Sequence, residues 1–205
     1  RLIAISPVRK SSNDRCPKVF KPPCKRLFPT RWAMISAIIF DFDGLLIDTE
    51  TADYQAWLEI YREFDLDYPL VEWQQQIGIY RPIPEALIRL ERLRGPIDRQ
   101  ALNELNERRQ KRSLELAIQK PLLPGVTEFL HECKNSGLRL AIASSSPRTW
   151  LDHFLISRGL TEYFEVIITG DMVDKVKPDP GLFLKALDCL TVPPDLALVI
   201  EDSKN

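Results

Sequence analysis

The sequence predicts an α/β protein, a doubly wound parallel sheet with a helical block inserted into it. Three observations point there. Short apolar runs at 35–40, 138–143, 165–169 and 197–200 alternate with segments of helical periodicity, the pattern of parallel strands joined by crossover helices. Residues 51–121 interrupt that alternation with helical stretches and no strand pattern. Each apolar run also leads into polar groups: Asp41 and Asp43, Ser144, the loop to Lys177, and Glu201 with Asp202.

The elements follow in order. Residues 35–40 form an apolar run closed by a turn signal at Gly44, which reads as a buried strand. Tyr54, Trp57, Leu58 and Tyr61 recur at i, i+3, i+4 and i+7, one face of an amphipathic helix. Pro69, Pro82, Pro84 and Gly95-Pro96 then punctuate further helical stretches at 85–94 and 98–119. The α/β pattern resumes at Leu122-Leu123-Pro124-Gly125. Val126, Phe129, Leu130 and Cys133 share a helix face, and Gly137 ends that helix. The strand at 138–143 runs into Ser144-Ser145-Ser146. A helix with Trp150, Leu151, Phe154 and Leu155 inward stops near Gly159. The strand at 165–169 precedes Gly170-Asp171, and Phe183, Ala186, Leu187 and Leu190 mark the helix before the last strand, 197–200.

Charge separates a leader from a body. Of 28 basic and 29 acidic residues, nine and one fall in 1–33, so 34–205 carries 19 against 28. An acidic body argues against nucleic-acid binding. The Pro-rich basic stretch 1–33 has no long apolar core, which argues against a secretory signal. It reads as an extension outside the fold, with a polyanion-binding arm as the alternative. Met34 stands where such a fold would begin. No apolar run approaches the ~18 residues of a membrane span. Cys133 and Cys189 read as small buried hydrophobes, with no C-x-x-C pair, and a reducing, cytoplasmic setting fits them.

The strand ends carry the chemistry. Ligands bind at the C-terminal edge of open α/β sheets, and carboxylates at i and i+2 on an extended segment point the same way. Asp41 and Asp43 therefore suit a nucleophile and a proton shuttle around a hard cation. Further acids at Glu201 and Asp202 suit Mg²⁺, which takes one or two carboxylates with substrate oxygen and waters. A hydroxyl and a lysine can neutralise phosphoryl oxygens. A calcium loop is excluded, because its required Gly and Glu positions hold Leu46 and Ala52.

Four motifs together resemble the haloacid dehalogenase (HAD) superfamily, and within it the β-phosphoglucomutase-like phosphatases. They are Asp41-Phe42-Asp43-Gly44-Leu45-Leu46-Ile47-Asp48-Thr49-Glu50, Ile142-Ala143-Ser144-Ser145-Ser146, Lys177-Pro178-Asp179-Pro180 and Ile200-Glu201-Asp202-Ser203. The resemblance covers 34–205. It implies a Rossmann-like core from 34–50 and 122–205, and an α-helical cap from 51–121 that closes over substrate. It implies Asp41 as nucleophile and Asp43 as general acid/base. Ser144, Ser145 and Lys177 would be phosphate ligands. Mg²⁺ would be held by Asp41, the Asp43 backbone carbonyl and Asp202, with Glu201 supporting.

Several residues keep a second reading. Lys175 competes with Lys177, Glu201 could cap the following helix, and Asp48 could be a helix N-cap or part of the hinge to the cap. Arg81 either reaches a substrate anion from the cap or is solvated; His131 and His153 read as partly exposed.

The implied activity is Mg²⁺-dependent hydrolysis of a small phosphorylated metabolite, a sugar phosphate, through an aspartyl-phosphate; the sequence leaves the oligomeric state open, with a monomer favoured. Two alternatives stand beside it: a β-phosphoglucomutase-type phosphosugar mutase, and a truncated phosphate-binding homologue without turnover. Such mutases carry a cap histidine twelve positions after the nucleophile, where this chain has Asp53. The family continues past the fourth motif with a helix and a strand, so the last strand here is expected near an exposed edge.

Overall fold

The computed structural model describes residues 2–3, 35–78 and 83–203. The sheet comprises β1 (Leu2–Ile3), β2 (Ala37–Phe40), β3 (Arg139–Ala143), β4 (Val166–Ile168) and β5 (Ala197–Ile200), in the spatial order β1-β5-β2-β3-β4. β5, β2, β3 and β4 run parallel, with Phe40 opposite Ile142 on one side and Ile200 on the other. Four parallel strands with flanking helices are the doubly wound core expected. β1 adds antiparallel to β5 through Leu2↔Ile200 and Ile3↔Val199. The outer edge of β5 is therefore paired over these two residues, and the reading of 1–33 as wholly outside the fold fails for Leu2–Ile3. The remainder of that extension lies outside the described residues.

Hydrophobicity on both faces explains the strands. Ala37 and Ile39 of β2, Ala141 and Ala143 of β3, and Val166 and Ile168 of β4 pack into one cluster with Leu182, Ala186, Leu187 and Leu190 of α7 (Gly181–Leu190). The alternate positions Ile38, Phe40, Leu140 and Ile142 are buried too, and the Phe40 ring meets Phe129 and Phe164 edge-on at 6.0 and 5.9 Å. Such two-sided burial is why these strands read as continuous apolar runs rather than alternating ones. Helix α5 (Val126–Asn135) buries Leu130 and Cys133 but leaves Phe129 44% exposed, so only part of its expected face is inward. Helix α6 (Arg148–Ser157) buries Leu151, Phe154 and Leu155. Cys189 of α7 is buried in the core cluster, as expected, and it is also disulfide-bonded, which removes its support for a reducing compartment.

Residues Ile47–Leu122 form a separate compact unit whose regular elements, among the described residues, are helices apart from a bridge between Ile47 and Leu122. Its helices are α1 (Thr49–Glu63), α2 (Leu70–Gln74), α3 (Glu85–Arg94) and α4 (Arg99–Ile118). The unit begins at Ile47 rather than at 51, because α1 opens at Thr49. Asp48 is its N-cap and accepts from Thr51 N at 3.0 Å, satisfying an otherwise orphan amide. The buried residues of α1 are Thr49, Ala52, Ala56, Trp57, Ile60 and Tyr61, with Tyr54 and Leu58 at the margin of the cluster. The inward stripe is rotated from the expected one because α1 packs along α4 through small residues: Ala52 and Ala56 are buried on α1, Ser113 and Ala117 on α4. Ion pairs of Arg109 with Asp53 (2.6 Å) and Arg112 with Glu59 (2.7 Å) flank that contact. The five-residue α2 went unforeseen; five residues are too few for a periodic signal.

Candidate active site

β2 lies between β5 and β3, so the loops after β2 and β5 leave the sheet side by side, the usual place for a ligand crevice. The ladder runs one step past the strands: Asp41 N donates to Ile200 O at 2.9 Å and Ser144 N to Ile168 O at 3.0 Å. Asp41 and Ser144 are thus held by sheet hydrogen bonds as the chain turns away, and both are buried.

Lys177 reaches this edge from the loop before α7. Its Nζ lies 2.7 Å from Asp41 Oδ1 and 2.8 Å from Glu201 Oε2, and its side chain is 5% exposed. Lys175, its competitor in the sequence, is exposed. Glu201 is turned inward to Lys177 and accepts from Ser203 Oγ at 2.9 Å through its other oxygen. Asp41, Glu201 and Asp202 each offer a carboxylate oxygen within 4.8 Å of the others. Burial pushes the Asp41 carboxyl up to about 8, against the pull of Lys177 and with a further push from Glu201. Burial and Glu201 raise Asp202 as well. Three crowded carboxylates facing one ammonium are short of positive charge, and their hard oxygens suit a small divalent cation.

The Asp43 side chain is held apart from that trio. Its Oδ2 accepts from Ser146 Oγ at 2.7 Å and Ser144 Oγ at 3.2 Å, and its Oδ1 from Trp150 Nε1 at 2.8 Å. Ser144 Oγ in turn accepts from Ser146 N at 3.0 Å. Phe42 N donates to Asp41 Oδ1 at 2.7 Å, which fixes the orientation of the first carboxylate. The two acids of the first motif therefore sit in different settings: one buried against lysine and acids, the other against hydroxyls and an indole.

The segment after β4 closes the edge. Gly170 N donates to Ser146 O at 2.9 Å, and a Cβ at Gly170 would stand 2.2 Å from Ser145 O. Only glycine permits that approach. Ser145 is placed at the same strand end, where its carbonyl contacts Gly170.

Of the residues expected from sequence, Asp41, Lys177, Glu201 and Asp202 come together in one group, and Ser144 joins Asp43 beside it. Arg81 lies outside the described residues. Two residues were missed. Ser146 carried a signal, since it closes the same Ser triplet. Trp150 carried none, since a tryptophan on an amphipathic helix reads as core.

A profile of the haloacid dehalogenase-like hydrolases matches residues 38–205. The Bacillus subtilis protein YhcW is 39% identical over 175 residues, spanning 84% of this chain and 77% of its own. The phosphorylated carbohydrates phosphatase of Thermotoga maritima is 31% identical over 172 residues, spanning 83% of this chain and 78% of its own. The crystal structure of CbbY from Rhodobacter sphaeroides in complex with phosphate aligns at TM-score 0.67 and 29% identity, covering 83% of this chain and 79% of that one.

Proposed function

We propose, from the premise that this chain belongs to the haloacid dehalogenase-like hydrolases of the β-phosphoglucomutase-like subgroup and is a phosphoric monoester hydrolase, that it is a Mg²⁺-dependent phosphatase of small sugar phosphates acting through an aspartyl-phosphate. The observation that carries this reading is the division of labour between Asp41 and Asp43. Asp41 is buried against Lys177, where a carboxylate oxygen can attack phosphorus. Asp43 is hydrogen-bonded to neutral donors, a setting in which a carboxyl can exchange protons. The Thermotoga maritima relative, a phosphatase of phosphorylated carbohydrates by name, supports the substrate class.

In the first half-reaction, Asp41 forms a bond to phosphorus as the ester P–O bond breaks, and Asp43 gives the leaving oxygen its proton. In the second, Asp43 takes a proton from water as that water displaces Asp41, releasing inorganic phosphate. Lys177 and the Ser144 hydroxyl would bind the phosphoryl oxygens, each exchanging its present partner for substrate. Asp41, the Asp43 carbonyl and Asp202 would hold Mg²⁺, with Glu201 supporting, and the ion would supply neutralisation of the phosphoryl charge. Residues 51–121, with Arg81, would act as the substrate-selecting cap.

Asp53 favours hydrolysis over mutase action. It occupies the position of the mutase histidine, and its carboxylate is engaged by Arg109 at 2.6 Å, so it offers no imidazole-like donor.

The test is a screen of sugar and aliphatic phosphates with Mg²⁺ or with EDTA, using Asp41→Asn as control. Release of phosphate that needs Mg²⁺ and falls at least about a thousandfold in Asp41→Asn is expected. Full turnover by Asp41→Asn would reject the covalent route.

A further inference from the structure

Asp43 accepts three hydrogen bonds, and their distribution over its two oxygens is uneven. Oδ2 takes both hydroxyls, from Ser146 at 2.7 Å and Ser144 at 3.2 Å. Oδ1 takes one donor, Trp150 Nε1 at 2.8 Å. A carboxylate offers about four lone-pair sites, two per oxygen. Among the described residues, the site left over is on Oδ1, the atom that the indole orients. A hydroxyl can rotate and serve as donor or acceptor, whereas an indole N–H can only donate and cannot turn without moving the ring. The ring is itself fixed. Trp150 meets Phe154 edge-on at 5.4 Å. Phe154 is fully buried and lies 5.7 Å from Phe42, the residue between the two acids of the first motif. A row of three rings thus runs from the first motif through α6 and back to the carboxyl of Asp43.

We propose that Trp150 is a positioning residue for the hydrolysis: it directs the open lone pair of Asp43 Oδ1 so that this oxygen carries the transferred proton. The proposal rests on the reading of Asp43 as proton donor and acceptor. In the first step the P–O bond to the leaving group breaks, Asp41 bonds to phosphorus, and the proton on Oδ1 passes to the leaving oxygen. In the second, a water proton returns to Oδ1 as the water oxygen bonds to phosphorus and the Asp41–phosphorus link breaks.

The experiment compares two esters that differ in their need for that proton. Glycerol 2-phosphate leaves as a poorly acidic alcohol and needs it; p-nitrophenyl phosphate leaves as a stable phenolate and does not. The readout is kcat/KM, which reports the first half-reaction. Trp150→Phe keeps most of the ring packing and loses the donor. Trp150→His keeps a ring N–H at the place of Nε1 and loses the six-membered ring, and is assayed at a pH where imidazole is neutral.

With Trp150→Phe, kcat/KM for glycerol 2-phosphate should fall about tenfold or more and that for p-nitrophenyl phosphate by less than about threefold. Trp150→His should recover most of the glycerol 2-phosphate loss although it packs less well. A parallel fall for both esters in Trp150→Phe, or a Trp150→His protein as impaired as Trp150→Phe, overturns the proposal. Asp43→Asn separates this from failure of the underlying reading. If Asp43→Asn discriminates between the esters and Trp150→Phe does not, only the role of Trp150 falls. If Asp43→Asn does not discriminate either, the assignment of Asp43 falls with it.

Discussion

Adding Mg²⁺ to, or removing it from, the purified protein at several pH values tests the acidic group directly. Asp41, Glu201 and Asp202 place carboxylate oxygens within 4.8 Å of one another, and burial pushes Asp41 up to about 8. In the unfolded chain this carboxyl ionises near its ordinary value of 3.8. Between those values the native state holds a proton that the unfolded state has lost. Stability of the metal-free protein must then fall as pH rises from about 4 to about 8. At about 1.36 kcal/mol per pKa unit, a rise from 3.8 to about 8 sets a ceiling of about 6 kcal/mol. Mg²⁺ requires ionised carboxylates, so below pH 8 each bound ion should release about one proton, and affinity should fall about tenfold per pH unit. At a hundredfold excess over Kd the ion adds about 2.7 kcal/mol, a rise in Tm of roughly 5–10 °C. Thermal melts from pH 5 to 9 with Mg²⁺ or EDTA measure the first effect. Calorimetric titration in two buffers of different ionisation enthalpy measures the second. A metal-free Tm that stays flat or climbs between pH 5 and 8, with no proton release on binding, would refute the reasoning.

Other perturbations separate the parts of the molecule. Lys177→Met leaves Asp41 and Glu201 facing each other without the ammonium that bridges them; it should cost about 3–5 kcal/mol in EDTA melts, with Mg²⁺ restoring part of the stability, while phosphatase assays show kcat/KM down at least about a hundredfold. Gly170→Ala drives a Cβ to 2.2 Å from Ser145 O and should destabilise by about 1–3 kcal/mol in urea, with activity falling further than stability because the Ser triplet shifts. Tyr61→Phe removes the 2.6 Å hydrogen bond to Ala86 O in the helical unit, costing about 1 kcal/mol by denaturant melts and leaving kcat on p-nitrophenyl phosphate within about twofold.

The fold was readable from sequence where burial imposes a pattern. Two-sided burial makes β2, β3, β4 and β5 continuous apolar runs, and the extents expected for them lie within two residues of those observed. α3 and α4 were marked by Pro84 before the first and by Asp98, the N-cap of the second. What failed to show was set by contacts between segments. The stripe of α1 is rotated by its packing on α4, and the short apolar run Leu2-Ile3-Ala4-Ile5, at the head of a Pro-rich basic stretch, reveals nothing of the pairing of Leu2 and Ile3 with Ile200 and Val199. The disulfide at Cys189 is equally silent, since spacing along the chain does not report which sulfurs meet.

The candidate site divides along the same line, and the division has a chemical basis. Asp41, Lys177, Glu201 and Asp202 were readable because each has a charge that a bland role explains poorly at a strand end. Charged groups rarely go uncompensated when buried, so their residue types already imply one another. Asp43 is a different case. Its partners Ser144, Ser146 and Trp150 are uncharged, and each has a commonplace structural use: turn hydroxyls for two, helix core for the third. Only the geometry shows that Trp150, in the first turn of α6, directs its one polar atom at Asp43 rather than at solvent. A nucleophile is set by charge and can be found by looking for charge. A proton-transfer group is set by the direction of its lone pairs, and direction comes from neutral donors that sequence patterns assign to packing. Searching for indole, phenol and hydroxyl donors near the second acid of this motif is therefore the way to find such positioning residues.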